Sequence, residues 1–460
     1  MTGVLDVDVA VVGGGISGLT AAYTLRERFP DRSVALIEAA ERLGGKLHTT
    51  SIDGIRIEAG ADSFLARDEI VVDLCKQIGI AEELRAPAVF GAVVWTDAGP
   101  KRLPSGTVMG VPASIGAALG AEPLSLRGRL RALGDLVLPG PLRGPDVAVG
   151  HFIRKRFGAE VLERMVDPIL AGTRAGDAGT LSLAACMPQI DLAARTRRSV
   201  IAGLRGDGGP PPFLAPDKGM GRLVEALSGA LDGTEVMTGA AVLEVRPGER
   251  SGWRLALEGG GVEARSVVVA LPAGRAAEIL AGMAPDAARE LRGINHASVA
   301  AVTLVYPSGA LSLPAGTSGF LVPSYTGRLL SAGTWWSLKW PGTGAGDRTV
   351  VRAFIGRAGQ DVALDEDDDE LIERSAREIG RLVGTTSSPQ HGRVHRWPEG
   401  LPQYEVGHAD RVERIGRSLR NHRGLLLAGA DYRGTGIPDC IRQGREAALA
   451  AARATVESGA

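Results

Sequence analysis

At 460 residues the chain is longer than one hydrophobic core can usefully fill, so two or three domains with a cleft between them are expected. Its 52 basic and 53 acidic residues leave a net charge of −1, which excludes a global field for nucleic acid. Cys75, Cys186 and Cys440 stand singly without C-x-x-C spacing, so neither a disulfide framework nor a metal site is expected. The N-terminus runs directly into a strand pattern with no leader-like segment, and no apolar run reaches about 18 residues, so the expected location is cytoplasmic.

In chain order, residues 7–12 read as a buried strand and Ile16 to Arg28 as a helix. Between and into them runs Gly13-Gly14-Gly15-Ile16-Ser17-Gly18, in which Gly13, Gly15 and Gly18 fill a G-x-G-x-x-G pattern. Such glycines give a tight turn, close backbone approach to a pyrophosphate and close helix–strand packing, with the helix N-terminus facing the anion. A second strand, Ser33 to Ile37, ends in Glu38, about 20 residues past the glycines, where an acid suits a ribose 2′-hydroxyl and repels a 2′-phosphate. The chain therefore opens with a dinucleotide site.

Two glycine-bearing loops follow, Arg42 to Lys46 and Gly60 to Phe64, of the kind that brings backbone N–H groups to a ligand. Residues 111–212 read as a helical insertion ended by Gly-Gly-Pro-Pro-Pro at 208–212. Within it Leu126, Leu130, Leu133 and Val137 recur at helical spacing with Arg127, Arg129 and Arg131 between them. Such a stretch can lie on a membrane or guide an acidic substrate, but the plainer expectation is leucines packed inward and arginines in solvent. Glu235 to Val245, Trp253 to Leu257 and Val267 to Leu271 read as strands in which the first domain resumes. Residues 297–306, 318–323, 329–335 and 349–356 are β-rich, and a helix from about Glu366 to Val383 begins in an acidic run that complements its dipole. Gly424 to Ala428 reads as a strand and Ile437 to Val456 as a closing helix.

Gly-Gly-Gly-Ile-Ser-Gly-Leu, Glu38-Ala39, Gly44-Gly45-Lys46, Gly60-Ala61-Asp62-Ser63-Phe64-Leu65, Asp217-Lys-Gly-Met and Tyr432-Arg-Gly-Thr-Gly-Ile-Pro-Asp-Cys-Ile together resemble the FAD-dependent protoporphyrinogen/coproporphyrinogen oxidases of haem biosynthesis, nearly end to end. The early motifs are shared with the wider flavin amine oxidase superfamily. The run Ala61 to Arg67 and the C-terminal Gly-Ile-Pro-Asp-Cys-Ile resemble the Gram-positive-type branch, whose substrate is usually coproporphyrinogen III. The resemblance implies an α/β fold: a Rossmann-like FAD-binding domain of the flavin amine oxidase type at 1–85, 213–290 and 395–460, a β-sheet-containing substrate domain at 86–110 and 291–394, and the helical insertion at 111–212. It implies non-covalent FAD with Gly13 to Gly18 at the pyrophosphate, Glu38 and Ala39 at the adenosine, and Lys46 and Gly60, Ala61, Asp62 and Ser63 toward the ribityl and flavin. Val242, Trp397, Gly436, Ile437 and Pro438 complete that set. A strand ending at Asp431 and a helix opening at Ile437-Pro438 would set an acid beside the ribityl hydroxyls and a positive dipole end near the flavin pyrimidine.

The implied reaction takes six electrons from a porphyrinogen in three two-electron steps, with O2 as final acceptor and H2O2 as product. Implied partners are the tetrapyrrole substrate and O2, hand-over of product to ferrochelatase, a peripheral membrane contact, and a monomer or homodimer. Phe64, Phe320, Leu321 and Val322 are candidate walls for the macrocycle. Arg67, directly after the flavin loop, and Lys339, the only lysine after Lys218, are candidate partners for propionates. Mitochondrial and plant relatives carry an arginine after a Leu-Pro-x-Gly segment, whereas Leu103-Pro-Ser-Gly-Thr-Val-Met-Gly has none, so propionate recognition is expected to differ. None of His151, His296 and His408 sits in a motif that would make it a general base. The rival readings are a flavin amine oxidase, a carotenoid-type desaturase and a non-catalytic tetrapyrrole carrier.

Overall fold

The computed structural model describes residues 4–137, 140–206, 213–248, 252–360 and 365–457; the Gly-Gly-Pro-Pro-Pro break lies outside them. The chain feeds two seven-stranded sheets in turn. β1 (Val4–Val12), α1 (Ile16–Arg28) and β2 (Val34–Ile37) start the first sheet. β3 (Ala92–Thr96) and β4 (Gly99–Arg102) go to the second. A helical region follows, including α2 (Ile115–Leu119), α3 (Leu126–Leu133) and α4 (Asp167–Arg174). β5 (Thr234–Met237), β6 (Val242–Pro247), β7 (Trp253–Leu257) and β8 (Gly260–Val269) return to the first sheet. β9 (His296–Tyr306), β10 (Gly319–Leu321), β11 (Leu330–Trp335), β12 (Thr349–Ile355), α5 (Asp368–Val383) and β13 (His391–Pro402) build the second. β14 (Leu425–Leu427) and α6 (Ile437–Glu457) close the first.

The first sheet runs β5-β2-β1-β8-β7-β6, with β14 beside β8. β1 pairs in parallel with β2 on one side and β8 on the other, Val9 opposite Val34 and Ser266, Val12 opposite Ile37 and Val269. A central parallel strand covered on both faces must be apolar throughout, which explains the unbroken Val9-Ala-Val-Val run. α1 carries small residues because α6 packs closely on it: a Cβ on Gly444 would stand 2.3 Å from the Ser17 carbonyl oxygen.

The second sheet, β13-β9-β12-β11-β10-β3-β4, is antiparallel except for β10 against β3. One face packs on α5, where Leu371, Ile379 and Leu382 meet Phe320, Val322, Trp335 and Ile355. The acidic run starts that helix, Asp367 accepting a hydrogen bond from the Glu370 amide at 2.8 Å. The opposite face turns toward the glycine loop at 60–64, with Arg352 Nη2 of β12 donating to the Gly60 carbonyl at 2.5 Å. α4 lies on that same face, and Gly172 permits the approach: a Cβ there would come to 2.9 Å of Ala332 Cβ and 3.0 Å of Leu321 Cδ2.

α3 reverses the expectation drawn from its leucines. Leu126 and Leu130 are 72% and 59% exposed, and the buried residues are Gly128 and Ala132. Ser125 caps the helix and is itself held by the Glu160 carboxylate, against which Gly128 packs. Half-buried Arg129 donates to the carbonyls of Leu119 and Leu124 and exposed Arg131 to those of Lys155 and Arg156, so the helix is docked by small residues, by Leu133 alone of its leucines, and by hydrogen bonds.

Candidate functional site

The loop from β1 to α1 is built as its glycines require. Gly13 has φ of +104°, and a Cβ there would stand 2.5 Å from the Ala270 carbonyl oxygen; on Gly18 it would stand 1.8 Å from that of Gly13. Above Gly15 there is open space, with nothing within 4 Å of a Cβ position, and no side chain caps α1. An uncapped helix N-terminus under open space is a seat for an anion. The Glu38 carboxylate accepts from the Gly14 amide at 2.6 Å and from the Ala40 amide at 2.8 Å, which fixes it at the end of β2 with lone pairs to spare for hydroxyls. Ala39 is exposed beside it, and Val242 starts β6 next to Ala240, whose amide donates to the Glu38 carbonyl.

Further along, Gly15 bridges Gly44, and the Gly44 amide donates to the Gly14 carbonyl at 2.8 Å, so the second glycine loop lies on the first. Gly60 packs on the Lys46 carbonyl with no room for a side chain, and Trp397 borders it, Nε1 donating to the Ala59 carbonyl at 2.8 Å. Burial pushes the Lys46 ammonium below its usual range, an effect that Asp431 and Cys440 nearby oppose.

At the other end of the chain, Asp431 contacts His296 Nε2 of β9, both side chains buried. The Tyr404 hydroxyl donates to the Ala430 carbonyl at 2.6 Å and accepts from the Gly434 amide at 2.9 Å, while His408 stacks on the Tyr404 ring with centroids 3.8 Å apart. His296 and His408 thus hold the segment leading to Gly436, Ile437 and Pro438 at the start of α6, an arrangement over 24 to 135 residues that no local motif signals. His151 is exposed on the helix Val149–Phe157.

On the side facing the second sheet, Asp62 receives Lys339 Nζ at 2.8 Å and Ser63 Oγ at 2.7 Å. Burial pushes its carboxyl up, but Lys339 and Arg352 outweigh that and hold it down at about 2. Ala61 is exposed at the head of this loop. Lys339 is thereby committed to a protein anion. Arg67 is exposed with no ion pair among the described residues.

The proposed ring walls separate. Phe64 is 2% exposed and packs with Val71 and Leu74 in the core that includes β1, α1 and α6. Phe320 and Val322 are 1% and 0% exposed on the α5 face, with no surface left for a ligand. Leu321, on the opposite face by the alternation of a strand, points to Gly172 of α4. Arg174, at the end of the same helix, was not among the sequence candidates; it reaches Thr435 Oγ1 at 3.1 Å across 261 residues.

The flavin containing amine oxidoreductase family profile matches residues 16–452. The chain belongs to this family. A Bacillus subtilis (strain 168) coproporphyrinogen III oxidase is 32% identical over 95% of this chain and 96% of its own. The Mycobacterium tuberculosis (strain H37Rv) coproporphyrinogen III oxidase is 35% identical over 94% of each. The crystal structure of an Exiguobacterium sp. 255-15 protein assigned as a protoporphyrinogen oxidase superposes with a TM-score of 0.88 at 31% identity, covering 99% of this chain and 100% of the other. The resemblance carried by the sequence motifs is borne out, and with it the α/β flavin amine oxidase fold and an FAD-dependent oxidoreductase. The residues present fit FAD: the open space over Gly15, the uncapped α1 and the acidic end of β2 are the features a dinucleotide needs in this family of flavoenzymes.

Proposed function

We propose that the enzyme oxidises coproporphyrinogen III to coproporphyrin III in haem biosynthesis, consuming three O2 and releasing three H2O2 for the six electrons and six protons removed. FAD, when bound, supplies the two-electron acceptance and its regeneration by O2. The protein's part is to hold the cofactor between Gly13–Gly18, Glu38, Lys46, Gly60–Ser63, Trp397, Asp431 and Gly436–Pro438, and to hold the macrocycle between that site and the face of the second sheet that carries Leu321. The observation that carries this reading is full-length similarity to proteins of that name together with an intact glycine cradle. The segments 1–85, 213–290 and 395–460 form the FAD-binding unit in this reading, and 86–110 with 291–394 the substrate unit.

Porphyrin fluorescence from FAD-loaded protein, supplied with coproporphyrinogen III or protoporphyrinogen IX in separate aerobic cuvettes and corrected for autoxidation, tests it. Faster turnover of coproporphyrinogen with matching H2O2 is expected. Preference for protoporphyrinogen, the activity assigned to the Exiguobacterium protein, would move the enzyme to the protoporphyrin route.

The exposed Ile115, Leu119, Leu126 and Leu130 on α2 and α3, with Arg127 among them, support a peripheral contact with an anionic membrane surface. No helix among the described residues is long and apolar enough to cross a membrane. Co-sedimentation with phosphatidylglycerol vesicles, lost in L126S/L130S and absent with phosphatidylcholine alone, is the expected result.

A further inference from the structure

Of the candidate cations around the glycine loop at 60–64 and the start of α6, Arg67 is exposed to solvent and four others already face a protein partner or backbone. Lys339 holds Asp62, Arg352 the Gly60 carbonyl, Arg357 the Val322 carbonyl at 2.7 Å, and Arg442 both Asp439 and Asp68. Arg174 differs. It is half-buried, it forms no ion pair among the described residues, and its one side-chain hydrogen bond is to the neutral hydroxyl of Thr435. The guanidinium lies 6.0 Å from the centroid of the Tyr404 ring, the same ring whose hydroxyl fixes Ala430 and Gly434. A guanidinium carries five N–H donors in a planar fork suited to a carboxylate, and the Thr435 hydroxyl engages one of them.

Its placement is enforced. Gly172 seats α4 on the face of the second sheet that carries Leu321. Ala175 then takes φ of +49°, a left-handed conformation unusual for a residue with a Cβ, and its carbonyl accepts from the Ala358 amide at 2.6 Å. The Arg174 carbonyl accepts from Gln403 Nε2 at 2.9 Å. The chain is thus pinned on both sides of Arg174, and the side chain spans from the helical region to the residue just before Gly436.

We propose that Arg174 receives a propionate carboxylate of the tetrapyrrole, and so selects substrates by their free acid groups; this rests on the functional reading above. A half-buried guanidinium without a resident anion is a site for an external one, and its contact with Thr435 places that anion beside the segment entering α6. Leu103-Pro-Ser-Gly supplies no arginine to compete for the role.

The test uses FAD-loaded enzyme and the variants Arg174→Gln, which retains a donor for Thr435, and Arg174→Lys. Coproporphyrin III and its tetramethyl ester are titrated without turnover by fluorescence, and KM and kcat are measured with coproporphyrinogen III. Expected for Arg174→Gln are coproporphyrin III affinity and KM worsened by about tenfold to a hundredfold, kcat within about twofold, unchanged ester affinity, and partial recovery in Arg174→Lys. Unchanged free-acid affinity in an FAD-replete Arg174→Gln would overturn the proposal alone. Failure of the wild type to bind either porphyrin would overturn the functional reading and this inference with it.

Discussion

Lys339 Nζ stands 2.8 Å from Asp62 Oδ2, a bond between the short helix Trp336–Lys339 after β11 and the glycine loop that follows the hairpin of Thr49–Ile52 and Ile55–Glu58, with only 15% and 14% of the two side chains exposed. The lysine that sequence alone offered to a propionate therefore neutralises a carboxylate of the protein. Lys339→Met leaves that carboxylate buried without its closest cation and is expected to cost about 3 kcal/mol in denaturant unfolding, with loss of FAD from the purified protein. A variant of unchanged stability and raised KM would return Lys339 to the substrate. The linkage has a definite sign: the Asp62 carboxyl is held at about 2 against an ordinary 3.8, so its stabilisation is present above about pH 4 and lost as pH falls toward 2.

Gly15→Ala and Gly18→Ala separate cofactor from fold. Gly15 sits at negative φ under open space, so the apo protein is expected to tolerate alanine within about 1 kcal/mol while FAD affinity falls by about tenfold or more. Gly18→Ala pushes a methyl into the Gly13 carbonyl and is expected to unsettle β1 and α1 themselves. Visible flavin absorbance and apo-protein melting, measured on the same samples, distinguish the two.

Glu58, buried against the Asp217-Lys-Gly-Met segment, accepts the Met220 amide at 2.9 Å and the Thr49 hydroxyl at 2.9 Å. Burial raises its carboxyl to about 7, outweighing those hydrogen bonds and Arg352, which pull it down. An acid with a raised folded value favours the folded state when protonated, so its contribution declines as pH rises from about 4.5 to 7. Glu58→Gln keeps an acceptor for Met220 without the charge. Its melting temperature is expected to match the wild type near pH 5 and exceed it near pH 8; equal curves at both would contradict the buried charge.

Asp135 in the helical region is fully buried, receiving Arg156 Nε at 2.5 Å, Ser199 Oγ at 2.6 Å and the amides of Val200 and Ile201 at 3.2 and 2.9 Å. Asp135→Ala strands four donors and is expected to cost about 3–5 kcal/mol, with faster proteolysis between residues 115 and 204 than in the first domain. Asp135→Asn is expected to fall between the two.

What could be read from the sequence follows the range over which each constraint acts. The glycines from 13 to 18 and Glu38 obey steric and polar rules within one β-α-β turn, and the strand and helix bounds there differ from those expected by three residues at most. Three consecutive residues of a strand cannot line one wall, and alternation alone would have separated Leu321 from Phe320 and Val322. The pairs Lys339–Asp62, His296–Asp431 and Arg174–Thr435 span 277, 135 and 261 residues, beyond any motif. In α3 the leucine periodicity was sound as a helix signal, yet docking was decided by Gly128, Ala132 and two arginines hydrogen-bonded to distant carbonyls.

The dinucleotide loop lies far ahead in the chain of the elements that surround it, β8, β14 and the covering helix α6, which begin at residues 260, 425 and 437. β1 meets β2 within the same β-α-β unit, but its other edge stays open until β8 has been made. Completing the cofactor cradle is therefore a late step of folding, reached only once β8, β14 and α6 are all in place around β1 and α1.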